Sequence, residues 1–242
     1  MGQILVIGES CKDIFVYCEA IRLAPDVPVP VLRTIQTDEN PGMAANVYRN
    51  IKSKLNDCSL HTNPQWESIT KTRYMHENSN HMFFRVDSES DIRAIDLGKL
   101  DLSSELIVIS DYNKGFLTEA DIEWICENHQ NVFLDTKKVL GEWASKARFI
   151  KINDFEYKNS KDKISESLNG KIIHTVGERG CNFQGENFPV TRHEIRDTSG
   201  AGDSFMAALV VEFLKTQDIF ASIKSANVAA SQVVQHRGVG VI

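Results

Sequence analysis

Five short apolar runs, at residues 4–7, 106–109, 132–134, 149–152 and 172–175, constrain the fold of this chain more than any other feature. They are rich in β-branched residues and bounded by polar residues or glycine, the pattern of strands buried on both faces. Helical stretches at 43–55, 118–128, 139–146, 161–168, 203–215 and 219–235 separate and follow them. Strands spaced by helices pair in parallel, because a crossover brings each back to the same end of the sheet. The alternation therefore predicts an α/β fold built on a doubly wound, mostly parallel sheet.

Two regions, about 12–38 and 69–88, break this rhythm. "DIFVYCEA", "VPVPVLRTIQ" and "ITKTRYMHENSNHMFFRVD" alternate Val, Ile, Phe, Thr and Tyr around turn residues and show no helical period, so they read as two antiparallel hairpins. The prolines of "APDVPVP" suit an edge strand. A small sheet of this kind is either a lid over a ligand or a dimerisation surface. Neither a repeat nor a low-complexity linker divides the chain, and residues 1–242 are expected to form one domain.

A net charge of −6 with no long run of Lys or Arg argues against nucleic acid or an anionic membrane as partner and favours a small molecule. Five cysteines, an odd number without CxxC spacing, support neither a disulfide framework nor a zinc ribbon. "MGQILVIGES" lacks a charged n-region, and no segment approaches the roughly 20 apolar residues of a membrane span. A cytoplasmic location is expected.

In an open α/β sheet, ligands bind beyond the carboxyl ends of the strands. Polar residues gather there: Gly8, Glu9 and Ser10, then Ser110 and Asp111, Asp135, Asn153 and Glu156, and Gly177 and Gly180. The most informative stretch is "DTSGAGDSF" at 197–205, where Gly200, Ala201 and Gly202 precede an apolar helix. Free N–H groups at the positive end of that helix can receive a phosphoryl group. Asp203 would not help bind a resting phosphate, but it can take the proton from an attacking hydroxyl. The alternative is a plain helix cap. No GxxxxGK[ST], no GxGxxG after the first strand and no protein-kinase motif set is present.

"DTSGAGD" is similar to the DTxGAGD signature of the ribokinase-like (PfkB) carbohydrate kinases. "GES" with Asp13, "PGMAAN", "SDYNKG", "NDFE", "TVGERG" and "SANVAA" follow that family in order over nearly the whole chain. "LAPDVPVPVL", "ITKTRY", "NSNHMFFRVD" and "ISDYNKG" most resemble the kinase half of bifunctional heptose-phosphate kinase/adenylyltransferases. The resemblance implies phosphorylation of a sugar or sugar phosphate by ATP, a heptose 7-phosphate being favoured. A catalytically weak sugar- or nucleotide-binding module is the alternative.

Carried over residue by residue, the resemblance makes Asp203 the base and the N–H groups of Gly200, Ala201 and Gly202 the anion hole. Asp13, Gly42, Asn46 and Lys114 or Asp111 would face the sugar. Lys71 and Arg85 would meet a substrate phosphate, unless they only solvate a strand face. Thr175, Gly177 and Gly180 would line the nucleotide phosphates, with Asn227 near the adenine. Asn153 and Glu156 match an NxxE motif that organises Mg²⁺ through water; a helix cap with an acidic first turn is the other reading. Asp197 and Ser199, with backbone carbonyls near Arg237 and Gly238, resemble a monovalent-cation loop that would take K⁺. A homodimer through the lid sheet is also expected.

Departures from the family are local. Met43 stands where a second glycine is usual, "DTKK" and "KIND" lack prolines, and one βαβ unit is missing between the helix ending near Leu55 and Ile69.

Overall fold

A computed structural model of the protein describes residues 3–79, 81–88, 91–191, 197–236 and 238–242. Strand β1 (Ile4–Gly8) leads into a long hairpin, β2 (Ser10–Leu23) and β3 (Pro30–Met43), followed by α1 (Ala44–Lys54) and β4 (Cys58–His61). A second hairpin, β5 (Thr70–His76) and β6 (Met82–Asp87), precedes β7 (Leu106–Asp111), α2 (Glu119–Asn128) and β8 (Val132–Thr136). Then come β9 (Phe149–Asn153), α3 (Asp154–Ser160), α4 (Glu166–Asn169), β10 (Ile172–Thr175), a short hairpin β11 (Cys181–Phe183) and β12 (Glu186–Phe188), and the helices α5 (Ala201–Thr216) and α6 (Ile219–Val233).

The main sheet has the order β12-β11-β10-β9-β8-β7-β1-β4. It is parallel from β4 to β10 and ends in the antiparallel β11 and β12. Alternate residues of each central strand enter two different cores. Ile4, Val6, Leu106, Val108 and Phe133 pack against α1, α5 and α6. Leu5, Ile7, Ile107, Ile109 and Leu134 pack against Ile122 and Ile125 of α2 on the other face. This double burial is why the strands read as continuous apolar runs. A second sheet, β3-β2-β5-β6, joins the two hairpins through a parallel β2–β5 contact. No helix among the described residues is long and apolar enough to cross a membrane.

Several elements differ from the sequence expectation. The helix expected at 139–146 is a 3-10 turn, Glu142–Ala144, because Gly141 stands extended immediately before it (φ −157°, ψ −176°). The helix expected at 161–168 is replaced by a 3-10 turn, Lys161–Lys163, and the single turn of α4, which Ser165 restarts by accepting from the Leu168 N–H. The hairpin of β11 and β12 is not apparent in the sequence pattern because each strand has only three residues. Its turn, Gln184-Gly185, has φ of 49° and 79°, the doubly positive conformation of a tight hairpin. Where one βαβ unit is expected to be missing, one strand is present: β4 pairs with β1 at the sheet edge, and residues 62–69 hold only the 3-10 turn Trp66–Ser68, with no helix and no further strand before β5.

Candidate active site

The carboxyl ends of β8, β9 and β10, the loop after β7 and the first turn of α5 enclose a cleft of about 700 Å³. Asp203 lies on its wall, 6% exposed. Gly200 caps α5 with φ 78° and ψ 0°, a left-handed conformation that glycine adopts without strain, and Gly200, Ala201 and Gly202 all line the cleft; the Ala201 N–H donates to the Thr198 carbonyl at 3.2 Å. Asp203 Oδ2 accepts from Asn46 Nδ2 at 2.8 Å, and Oδ1 accepts from the Tyr112 hydroxyl at 2.8 Å. Burial raises the Asp203 pKa above the ordinary carboxylate value, while the hydrogen bonds from Asn46 and Tyr112 oppose the rise. Burial, chiefly, together with the Asp203 charge, holds the Tyr112 phenol well above its usual range, so it remains a donor to the carboxylate.

On the side facing the second sheet, Asn46 is aimed by neighbours: its Oδ1 accepts from Arg49 Nη2 and Asn50 Nδ2, both at 3.2 Å. Asp13 on β2 is buried and pairs with Arg73 of β5, Nη1 to Oδ1 2.5 Å, beside Gly42. Lys71 Nζ lies 3.1 Å from Met43 Sδ and 5.3 Å from the Tyr112 ring centroid. Of these side chains Asn46 reaches Asp203 directly, and Lys71 lies against the ring of Tyr112, whose hydroxyl donates to Asp203. Three residues expected there stand elsewhere. Arg85 pairs with Asp87 on the exposed strand β6. Asp111 is fully enclosed, accepting from Lys138 Nζ at 3.0 Å and from Thr136 Oγ1. Lys114 points to solvent while its N–H donates to Glu9 Oε1 at 2.8 Å. Glu9 also accepts from the Tyr112 N–H at 2.8 Å, so a buried carboxylate fixes the loop that carries the phenol.

On the opposite side, Thr175, Gly177, Gly180 and Asn227 all line the cleft. The Asn227 amide is committed, donating to the Phe188 carbonyl at 2.9 Å. Asn153 and Glu156 form a reciprocal cap at the start of α3: Asn153 Oδ1 accepts from the Glu156 N–H, and Glu156 Oε2 accepts from the Asn153 N–H. Glu156 Oε1 accepts from Lys137 Nζ at 2.5 Å. Among the described residues no three His, Cys, Asp or Glu side chains converge as a direct metal cage. The Asn153 and Glu156 pair fits a hydrated cation approached through water better than a directly bound one. Asp197 accepts from the Ser199 N–H at 2.8 Å and the Gly238 N–H at 3.1 Å, which shapes the turn before α5; Arg237 lies outside the described residues.

Reading the sequence alone assigns no role to Arg73, Tyr112, Lys137 or Lys151. Tyr112 stands inside "SDYNKG", Lys137 inside "DTKK" and Lys151 inside "KIND", so each was within a stretch singled out for another reason. What the sequence could not supply was which neighbour each side chain meets across the sheet.

Residues 74–241 match the profile of the pfkB family carbohydrate kinases. Over 297 aligned positions the chain is 29% identical to the bifunctional protein HldE of Helicobacter pylori, covering 98% of this chain and 64% of that protein. It is 26% identical over 291 positions to HldE of Photobacterium profundum, covering 98% and 61%. The chain thus spans less than two thirds of the length of these relatives. In fold it is similar to the ribokinase of Arabidopsis thaliana solved with ribose and ATP, with a TM-score of 0.70 at 13% identity over 98% of this chain and 94% of that one. Ribokinase from Thermotoga maritima gives 0.71 at 16% over 99% and 95%. Phosphofructokinase-2 from Escherichia coli, solved with potassium, gives 0.69 at 14% over 98% and 94%.

Proposed function

Because the chain belongs to the pfkB family of carbohydrate kinases, we propose that it phosphorylates a sugar phosphate of the heptose 7-phosphate kind with ATP, using Asp203 as general base. The observation that carries this reading is the placement of Asp203: a buried carboxylate held by two neutral donors at the start of a helix whose first residues line the same cleft. Neutral donors orient the carboxylate without neutralising it, which leaves it able to accept a proton.

In the proposed reaction the substrate hydroxyl approaches from the Asn46 and Asp13 side. Its proton passes to Asp203 as the sugar oxygen bonds to the terminal phosphorus, and the bond from that phosphorus to the bridging oxygen breaks to release ADP. Gly200, Ala201 and Gly202 donate backbone N–H groups to the oxygens on which charge accumulates. Asp13 and Lys71 orient the sugar and meet its anionic group, and Thr175, Gly177 and Gly180 flank the nucleotide phosphates. Asn153 and Glu156 would hold, through water, the Mg²⁺ that accompanies ATP and lowers the phosphate charge. The Asp197 and Ser199 loop is the candidate seat for K⁺. The exposed apolar face of the second sheet, with Ile21, Leu23, Phe84 and Val86 between 46% and 62% exposed, supports a homodimer through that sheet.

Incubating the purified chain with Mg-ATP and a panel of sugars and sugar phosphates, with product read by phosphorus NMR, tests the reading. A heptose 7-phosphate is expected to give the highest rate of ADP formation. Binding of sugar and nucleotide by calorimetry with no phosphorylated product from any of the panel would favour the binding-module alternative, for which the abbreviated 62–69 connection is the motive.

A further inference from the structure

Two ammonium groups stand on the floor of the cleft, and the proposed reaction leaves both without a task. Lys137 follows β8 and Lys151 lies in β9, and both line the cleft together with Asn153, Thr175 and the first turn of α5. Asp135 sits between them: Lys151 Nζ reaches its Oδ2 at 2.7 Å and Lys137 Nζ its Oδ1 at 3.7 Å. That Oδ1 is buried and accepts no hydrogen bond.

Each ammonium has three donors. Among the described residues Lys151 donates only to Asp135, although its side chain is just 4% exposed. Lys137 donates to Glu156 and is 32% exposed, so part of it faces the open cleft. Lys151 Nζ also stands 2.9 Å from the point where a Cβ on Gly202 would be, so the ammonium is packed against the first turn of α5. A cation pressed against the positive end of a helix is repelled by it. The arrangement becomes favourable when an anion enters the cleft between them.

A sugar hydroxyl does not call for two full positive charges, whereas a terminal phosphate does. Lys137 also lies 5.4 Å from the centroid of the Tyr112 ring, whose hydroxyl donates to Asp203, and it lines the same cleft as Thr175 and Gly177.

We propose that Lys137 is a catalytic residue that contacts the terminal phosphate of a nucleoside triphosphate, and that Lys151 is a positioning residue that backs the Gly200, Ala201 and Gly202 anion hole with a fixed charge. This inference rests on the kinase reading above. Both lysines stay protonated throughout and carry no proton; their work is to offset charge on the phosphoryl oxygens while the sugar oxygen replaces the bridging oxygen at phosphorus. A phosphate carried by the sugar instead would be met by Lys71, on the other side of Asp203.

The test measures dissociation constants of the full chain for the Mg²⁺ complexes of ADP and of a non-hydrolysable ATP analogue. Lys137→Met is expected to weaken the ATP analogue by about tenfold to a hundredfold, the worth of a charged hydrogen bond, and ADP by less than about threefold on the same scale. Lys137→Arg should restore part of the loss. Lys151→Met is expected to lower kcat by at least about tenfold while the KM for ATP changes little, the separation expected of a group that acts on the transition state. Should Lys151→Met fail to fold because it strands Asp135, the paired change Asp135→Asn with Lys151→Met removes both charges and must show the same split. If the wild type prefers the ATP analogue over ADP and Lys137→Met keeps that preference unchanged, the lysine assignment is overturned and the kinase reading stands. If the wild type binds neither nucleotide, both fall together.

Discussion

The Asp203 carboxylate is buried among neutral donors, and this sets how it responds to pH. Its pKa is raised in the folded state chiefly by burial, so activity should fall on acidification while an exposed aspartate would still be ionised. For stability the sign is reversed. The folded state holds this proton more tightly than the unfolded chain, so the group favours folding as pH falls through its raised value and opposes folding once ionised above it. Tyr112→Phe removes one of the two bonds that favour the charged form, and the acid limb of the kcat/KM profile should move to higher pH. An unmoved limb would show that the phenol does not tune the base. The cysteines give a second prediction at this scale. Burial pushes the thiols of Cys11, Cys58, Cys126 and Cys181 up to about 12, and Cys18 is fully covered. A disulfide reagent at pH 8 should label none of the five in the native protein within minutes and all five after denaturation. Prompt labelling of any one would contradict the packing.

Between residue and element stands Met43, where β3 passes into α1. It caps α1 with φ 61° and ψ −133°, a conformation that costs a side-chain-bearing residue on the order of 1–3 kcal/mol. The strain holds because Met43 is buried and its sulfur meets Lys71. Met43→Gly should therefore be more stable than Met43→Ala by about 1 kcal/mol or more in urea unfolding, since both lose the thioether and only glycine loses the strain. Equal stabilities would mean that the backbone relaxes. Much at this scale was legible in the sequence. The five apolar runs all became strands, and the two interrupted regions became the second sheet, because burial on both faces and period-two alternation write directly into composition. The helices expected at 139–146 and 161–168 failed because Gly141 and Ser165, single residues, redirect the backbone more strongly than a weak helical period holds it. Asp111 read as a ligand because it follows a strand, and only the folded chain shows Lys138 arriving to cover it.

In the whole molecule, strand ends that are distant in sequence and the first turn of α5 bring Asp203, Gly200 to Gly202, Lys137 and Lys151 to one cleft, and a ligand filling it should tie these elements together. Saturating Mg-ATP analogue at a hundred times its dissociation constant contributes about 2.7 kcal/mol, which should raise Tm by roughly 5–10 °C for a chain of this size. A Tm unchanged by nucleotide would mean that the folded chain does not bind it. The second sheet brings Lys71 against the Tyr112 ring and carries the Asp13–Arg73 pair, so on the proposed function substrate choice and assembly through its exposed face would be properties of one element. The sequence signature located the cleft because glycine and aspartate at a helix start carry their chemistry with little help from neighbours, whereas the roles of Arg73, Tyr112 and Lys137 depend on partners 60, 91 and 19 residues away. The proposed reaction turns on Asp203 taking the proton of the attacking hydroxyl. Its most direct test is the single-turnover rate of phosphoryl transfer from bound ATP to the best sugar substrate, compared between the wild type and Asp203→Asn with both ligands shown to be bound. The expected loss is on the order of 10²- to 10⁴-fold, as removal of a general base gives; equal rates in the two proteins would leave Asp203 no part in the proton transfer.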